Sequence, residues 1–523
     1  MTSSTPSSAR RSRLDALASR VETTDDRPTL AVESPYDART LGSVPTCTPA
    51  DVESAFARAR EAQAEWADRP LDERIAVFDR FHDRLLDAKS DVLDLAQAET
   101  GKSRLDAHEE LVDVAATARY YANNAAEYLA SRRRRGAIPL LTRVVEHRHP
   151  VGVVGVISPW NYPITLAVSD AIPALVAGNA AVLKPDEGTP FTALRLAELL
   201  VESGLPADLL PVVTGRGPDL GEALVAEADH VCFTGSTEVG RTVAENAGRQ
   251  LTDCSLELGG KNPLLVLADA DVDAAARGAA RGCFANAGQL CISAERVYVD
   301  SSVRDAFLDA FVRETRRLSL GASYDYDADV GSLASEAQLE KVESHVEDAR
   351  EKGATVLTGG RRRTDAGPYF YDPTVLTDVT PEMTLSGEET FGPVAAVYEA
   401  SGIADAVERA NEGPYGLTAS VWAEDTTRAE QAAARIEAGS VSINDAYAAA
   451  WASLDAPMGG VGDSGLGRRH GEEGMVRFTE PQTVATQHGG PIVRPEGVSR
   501  RLWVGLMEAN VRVSKWLSSF TRR

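Results

Sequence analysis

The sequence predicts an α/β fold built on a parallel, doubly wound sheet and followed by a second α/β unit. Three observations carry this expectation. Short Val-rich runs (VGVVGVIS, AAVLKP, LPVVTG and HVCFTGS) alternate from Val151 onward with amphipathic segments of helical length. A second alternating set starts near LELGGKNPLLVL and runs through ERVYVD, YFYDPTVL and FGPVAAVYEA to SVSIND. The composition is that of a globular chain, with 523 residues, 43% hydrophobic and 25% charged. That excludes a collagen-like, coiled-coil or mainly disordered protein.

Taken in order, residues 1–25 are rich in Ser, Thr and Arg and lack an apolar h-region, so they read as a disordered lead-in and not a secretory signal. Residues near 50–130 are Ala-rich with helical period, and Thr48-Pro49 marks a helix start. The basic run Arg132 to Arg135 and the alternating LTRVVEHRHP read as an exposed strand pair or arm, with His147 and His149 on one strand face and not a metal pair. Val151 to Leu183 carries one charge, Asp170, over a length that could cross a bilayer. Pro159, Asn161, Pro163, Pro173, Gly178 and Asn179 instead divide it into strand (VGVVGVIS), turn (PWNYP), helix (ITLAVSDAIPALVAG) and strand (AAVLKP). A buried βαβ unit explains this better than a membrane span. Ligands of such sheets bind beyond the carboxyl ends of the strands, which brings PWN, KPDE and FTGSTEVG to one crevice.

Charge narrows the function further. The chain has 54 basic and 78 acidic residues, a net charge of −24, which argues against non-specific binding to nucleic acid. Seven of the basic residues are Lys and 47 are Arg. Adaptation to a high-salt cytoplasm and an Arg-rich proteome both account for that bias. Five widely spaced Cys without a CxxC give neither a disulfide framework nor a four-Cys zinc site, and fit a reducing cytoplasm. No metal site is expected.

The chemistry-bearing segments are few. GSTEVGRT, Gly235 to Thr242, nearly matches a phosphate-binding P-loop, but Arg241 stands where the loop needs Lys. An NTPase is disfavoured, and what survives is a strand, a Gly turn and a helix N-terminus that attracts phosphate. Cys291, in NAGQLCIS, would by itself be a small buried hydrophobe. Glu257 in LELGGKNP and Asn161 in PWNYP change the odds. A thiol, a carboxylate and an amide from three separate segments are the parts needed for acyl chemistry on a carbonyl.

PWNYP, LKPDE, FTGSTEVG, LELGGKNP, GQLC, EETFGPV and GGVGDSGLGR occur in this order, and the set resembles the aldehyde dehydrogenase superfamily, with the resemblance running from about residue 30 to 487. The resemblance implies a Rossmann-like NAD(P)-binding domain (26–130 and 151–257), a second α/β catalytic domain (258–476) and a small β oligomerisation arm (131–150 and 477–488). It implies Cys291 as nucleophile, Glu257 as general base and Asn161 as oxyanion donor. A thiohemiacetal would yield its hydride to the nicotinamide and leave a thioester for hydrolysis. For the cofactor it implies Lys184 and Glu187 at the adenosine ribose, Gly235 and Ser236 at the pyrophosphate and Leu258 near the nicotinamide amide. Glu389 and Phe391 would position the nicotinamide ribose and ring, and Trp160 joins this set. A Glu187 carboxylate repels a 2′-phosphate, which favours NAD over NADP unless the side chain swings away.

PMGGVGDSGLGRRHG and ISPWNYPITLAVSDAIPALVAGN are similar to the succinate-semialdehyde dehydrogenase branch. Many members with that activity carry one Arg six residues before the nucleophile and another eight after the Asn; here those positions are Ala285 and Ser169, leaving Arg281 or Arg468 to meet an anionic aldehyde. The expectation is a small aldehyde, best succinate semialdehyde, oxidised in the cytoplasm by a homodimer or homotetramer. A broad-specificity or aromatic/aliphatic enzyme, an acylating variant and a noncatalytic binding member are the alternatives. Residues 489–523 form a basic amphipathic extension, with Trp503, Leu506, Met507, Val513, Trp516, Leu517 and Phe520 at helical spacing. Docking on the same subunit or a neighbour is favoured over a membrane surface.

Overall fold

The computed structural model describes residues 8–23, 27–138 and 140–520. Its first sheet runs in the order Gly465–Leu466, Asp253–Glu257, His230–Thr234, Val153–Ile157, Ala180–Lys184. The last four strands are parallel, and the short Gly465–Leu466 is antiparallel at the edge. All residues of His230–Thr234 and Ala180–Lys184 are buried, as their continuous apolar runs require of strands covered on both faces. Strand order reverses at Val153–Ile157, which has later strands on either side, so the crevice of a doubly wound sheet opens at its carboxyl end. PWNYP begins two residues beyond it.

The second sheet has the order Thr355–Thr358, Thr374–Thr377, Val394–Ala400, Ala294–Asp300, Asn262–Val266, Thr418–Trp422, Ser440–Ile443. It is parallel except for its first pair. Helices Pro49–Ala67, Leu71–Asp87, Lys89–Thr100 and Arg104–Tyr128 cover the first sheet. Pro49 opens the first of these at Thr48, whose N–H and hydroxyl both donate to Asp51 Oδ2 at 2.8 Å. Arg132–Arg134, Thr142–Pro150 and Thr479–Gln487 make a separate antiparallel sheet, with Thr479–Gln487 largely exposed at its edge. His147 Nδ1 meets Ser131 Oγ at 2.9 Å and His149 Nε2 meets Gln482 Oε1 at 3.2 Å.

Three expectations are corrected. Residues 8–18, inside the lead-in read as disordered, form the helix Ser8–Ala18; Leu14 and Leu17 are buried, and Arg13 Nη1 donates to Glu198 at 3.3 Å. Residues 1–7 and 24–26 lie outside the described residues. The single helix expected over ITLAVSDAIPALVAG is two, Thr165–Val168 and Ala171–Val176, because Pro173 has no N–H for the Ser169 carbonyl. LPVVTG is not a strand. Only Val212 bridges to Leu183, next to Pro211, which cannot donate. The C-terminal helix Arg500–Phe520 does form; Leu502, Val504, Leu506, Met507, Val511 and Val513 are exposed on this chain, and Asn510 Nδ2 reaches the Ala137 carbonyl at 3.2 Å. The side chains of Trp516, Leu517 and Phe520, and all of Arg522 and Arg523, fall outside the described residues. Among the described residues no helix is long and apolar enough to cross a membrane.

Candidate active site

The carboxyl ends of the first sheet face the amino ends of the second. Asn161 follows Ile157, Lys184 and Thr234 end their strands, and Glu257 ends the next. From the other side, Cys291 and Phe391 lie just before Ala294–Asp300 and Val394–Ala400. The segments that present these side chains are held by buried polar groups, since a carbonyl or ammonium left without a partner here would cost about 1–3 kcal/mol.

Asn161 is 4% exposed, and its carbonyl accepts from Lys102 Nζ at 2.7 Å and Asn286 Nδ2 at 3.0 Å. Lys102 pairs with Glu110, whose other oxygen accepts from the Ile164 and Thr165 amides. The turn that carries Asn161 is thus pinned at both ends. Its side-chain amide donates to the Gln289 carbonyl at 3.1 Å, which leaves a second N–H. The loop that carries Cys291 is built from the opposite direction. Asn286, Ala287 and Gly288 are all left-handed, with φ 51, 54 and 71, and Asn262 Nδ2 clamps the Cys291 and Ser293 carbonyls at 2.7 and 2.8 Å. The glycines of LELGGKNP permit the close approach: a Cβ on Gly260 would lie 2.9 Å from the Cys291 oxygen, and one on Gly259 2.8 Å from Glu389 Oε2.

Burial, reinforced by Glu257 and Glu389, pushes the Cys291 thiol up to about 12, so it is protonated in the resting protein. Burial also raises Glu257 to about 7, against the opposing pull of Arg469. It raises Glu389 to about 7 as well, with Glu295 adding repulsion, although Glu389 accepts from the Gly260 amide at 2.8 Å. Lys261 pairs with Glu295, which accepts from the Thr390 and Phe391 amides, and this fixes the loop bearing Glu389 and Phe391.

Two cavities meet at these groups. One, of about 230 Å³, is lined by Trp160, Gly235, Ser236, Leu258, Glu389 and Phe391. The other, of about 50 Å³, is lined by Tyr162, Ser169, Asp170, Trp451, Arg469 and Arg477. Asn161, Thr234, Glu257 and Cys291 border both. The larger cavity suits a dinucleotide: Ser236 caps the helix Thr237–Gln250, and a Cβ on Gly235 would fall 2.5 Å from the Phe233 ring. Trp160 and Phe391 meet edge to face at 5.6 Å in its wall. Lys184 and Glu187 stand 3.8 Å apart at the neighbouring strand end and do not line this cavity.

Sequence reasoning missed Thr234, Gln338 and Lys341 in the larger cavity, and Asp170, Arg469 and Arg477 in the smaller one. Of the last three, Asp170 and Arg469 left a trace, as the lone charge of an apolar run and as the neighbour of Arg468, and Arg477 left none. The two cations expected to meet an anionic substrate are engaged elsewhere. Arg281 pairs with Asp106 and Glu109, and Arg468 Nη1 donates to the Gly460 and Gly467 carbonyls; neither lines the smaller cavity. The five cysteines are unpaired, and Cys291 is the one that borders the two cavities.

A buried thiol, a carboxylate and an amide at the junction of a helix-capped cavity and a smaller pocket define an α/β enzyme class that works on carbonyl carbon. Residues 21–484 match the Aldehyde dehydrogenase family, and the chain belongs to that family, as an oxidoreductase acting on aldehydes. A Mycolicibacterium smegmatis protein provisionally named succinate-semialdehyde dehydrogenase, NADP(+), is 50% identical over 507 residues, covering 97% of this chain and 98% of that one. The solved NAD-dependent aldehyde dehydrogenase of Sinorhizobium meliloti superposes with a TM-score of 0.86 at 36% identity, covering 91% of this chain and 95% of that chain. Betaine aldehyde dehydrogenase of Staphylococcus aureus, solved with NAD+, gives 0.86 at 30% identity, covering 93% and 98%.

Proposed function

We propose that the protein oxidises a short anionic aldehyde, best succinate semialdehyde, to the carboxylic acid with NAD or NADP, and that Cys291, Glu257 and Asn161 do the chemistry. The observation that carries this reading is the shared border: Asn161, Thr234, Glu257 and Cys291 separate a cavity suited to a dinucleotide from a small pocket for the aldehyde. The name of the Mycolicibacterium relative supports the choice of substrate.

The chain's own groups act in sequence. As the Cys291 sulfur adds to the aldehyde carbon, Glu257, poised near neutrality, takes up the thiol proton. The second Asn161 N–H and the Cys291 backbone amide hold the oxyanion, an interaction whose loss typically costs about 10²–10³ in rate. A nicotinamide dinucleotide held by Gly235, Ser236, Leu258, Trp160, Glu389 and Phe391, with Lys184 and Glu187 at its adenosine ribose, supplies the hydride acceptor. Glu257 gives that proton up to solvent, takes another from the water that attacks the Cys291 thioester and passes it to the departing sulfur, releasing the acid and restoring the thiol. A carboxylate in that position favours hydrolysis over transfer to a second thiol. Residues 26–130 with 151–257 serve as the dinucleotide-binding domain and 258–476 as the catalytic domain, although Gly465–Leu466 crosses back to the first sheet.

We read 131–150 with 477–488 as an assembly arm, giving a homodimer or homotetramer, because Thr479–Gln487 presents a free, exposed edge. Unpaired cysteines support a reducing, cytoplasmic setting. The test is a panel of aldehydes with NAD and NADP. The expected result is the highest kcat/KM for succinate semialdehyde and no turnover by Cys291→Ala. Retained activity in that variant would overturn the mechanism, and stronger turnover of benzaldehyde or long alkanals would overturn the substrate.

A further inference from the structure

The small cavity beside Cys291 contains polar atoms that no protein group satisfies. Tyr162, Ser169, His470, Arg469 and Arg477 all line it, and buried without a partner are Tyr162 OH, Ser169 Oγ, His470 Nδ1, Arg469 Nε, and both Nε and Nη1 of Arg477. Tyr162 is 2% exposed and His470 7%. The break imposed by Pro173 leaves Ser169 and Asp170 between two short helices, with both side chains on this cavity. Asp170 accepts one Nη2 from each guanidinium, at 2.5 Å from Arg469 and 2.6 Å from Arg477. The two guanidinium groups face Asp170 and, across the cavity, Glu257, and the donors left over on Arg477 point to an acceptor that the chain does not supply.

We propose that this is a carboxylate subsite: Arg477, with the Ser169 and Tyr162 hydroxyls, binds the distal carboxylate of the aldehyde whose other end reacts at Cys291. A monoanion with two oxygens would satisfy the free N–H and O–H groups in one step. The volume of about 50 Å³ admits a chain of a few heavy atoms, which limits the ligand to a short aldehyde. This inference rests on the reading of Cys291 as nucleophile and of an anionic aldehyde as substrate.

The test compares kcat/KM for succinate semialdehyde with that for butanal, which has the same chain length and no carboxylate, in the full-length protein and in Arg477→Gln and Ser169→Ala. Arg477→Gln is expected to lower the ratio at least about 30-fold, mainly through the KM for the semialdehyde, and Ser169→Ala about threefold to tenfold. Thermal melts report whether each variant folds. If Arg477→Gln does not, Ser169→Ala decides alone, and an unchanged ratio there overturns the subsite. A wild type that prefers butanal overturns the substrate reading itself. A wild type that prefers the semialdehyde, with the ratio unmoved in the folded variants, overturns only this inference.

Discussion

Glu257 is pulled in opposite directions by its surroundings. At 7% exposure, burial raises its pKa, while the Arg469, Arg477 and Arg468 charges lower it, and it settles at about 7. Its basic form therefore grows as pH rises through 7 and falls about tenfold per unit below it. Under hydrolysis-limited conditions kcat should follow that rising limb. Glu257→Gln should remove the limb, lower kcat by about 10²–10³ and let the thioester accumulate; a limb that survives in the variant would assign the titration to another group. Cys291, Asn161 and Glu257 were legible because each sits in a short motif that names its chemistry. The grouping of Asp170, Arg469 and Arg477 was not, because it is an ion triad closed between segments some 300 residues apart.

The loops around the site are shaped less by propensity than by clamps. Asn262 holds two carbonyls of the nucleophile segment with one amide and accepts from Thr418 N at 3.1 Å, so it joins Cys291 to two strands of the second sheet. Asn262→Ala should strand those buried groups, lower Tm by several degrees and cut kcat about tenfold or more with little change in KM, as expected for a misplaced nucleophile. A kcat within twofold of wild type would show that the left-handed run Asn286 to Gly288 positions Cys291 unaided. At this scale the alternating strands were legible from their apolar runs. What failed was local: Pro173 split a helix, Pro211 denied LPVVTG a ladder, and Leu14 and Leu17 anchored a helix in a segment whose composition is that of a tail. Two or three buried leucines are too weak a periodic signal to outweigh their Ser- and Arg-rich neighbours.

For the molecule as a whole, the net charge of −24 acts across a surface that carries exposed Arg–carboxylate pairs such as Arg119–Asp79, Arg313–Asp273 and Arg350–Glu347. Such pairs contribute about 0–1 kcal/mol each, and salt weakens both them and the net repulsion. With an excess this large the repulsion dominates, so Tm should rise by several degrees between about 0.1 and 1 M KCl. A fall over that range would show that the pairs outweigh it. The scarcity of Lys has a different consequence. Of seven lysines, Lys102, Lys184 and Lys261 are buried, at 0, 2 and 4% exposure, and Lys341 borders the larger cavity. Amine-directed reagents therefore find Lys89, Lys352 and Lys515 on the exterior, none of which lines either cavity. Coupling the protein through its amines to a solid support would attach it at a handful of known points, with half-buried Lys341 the lysine whose modification would reach the larger cavity.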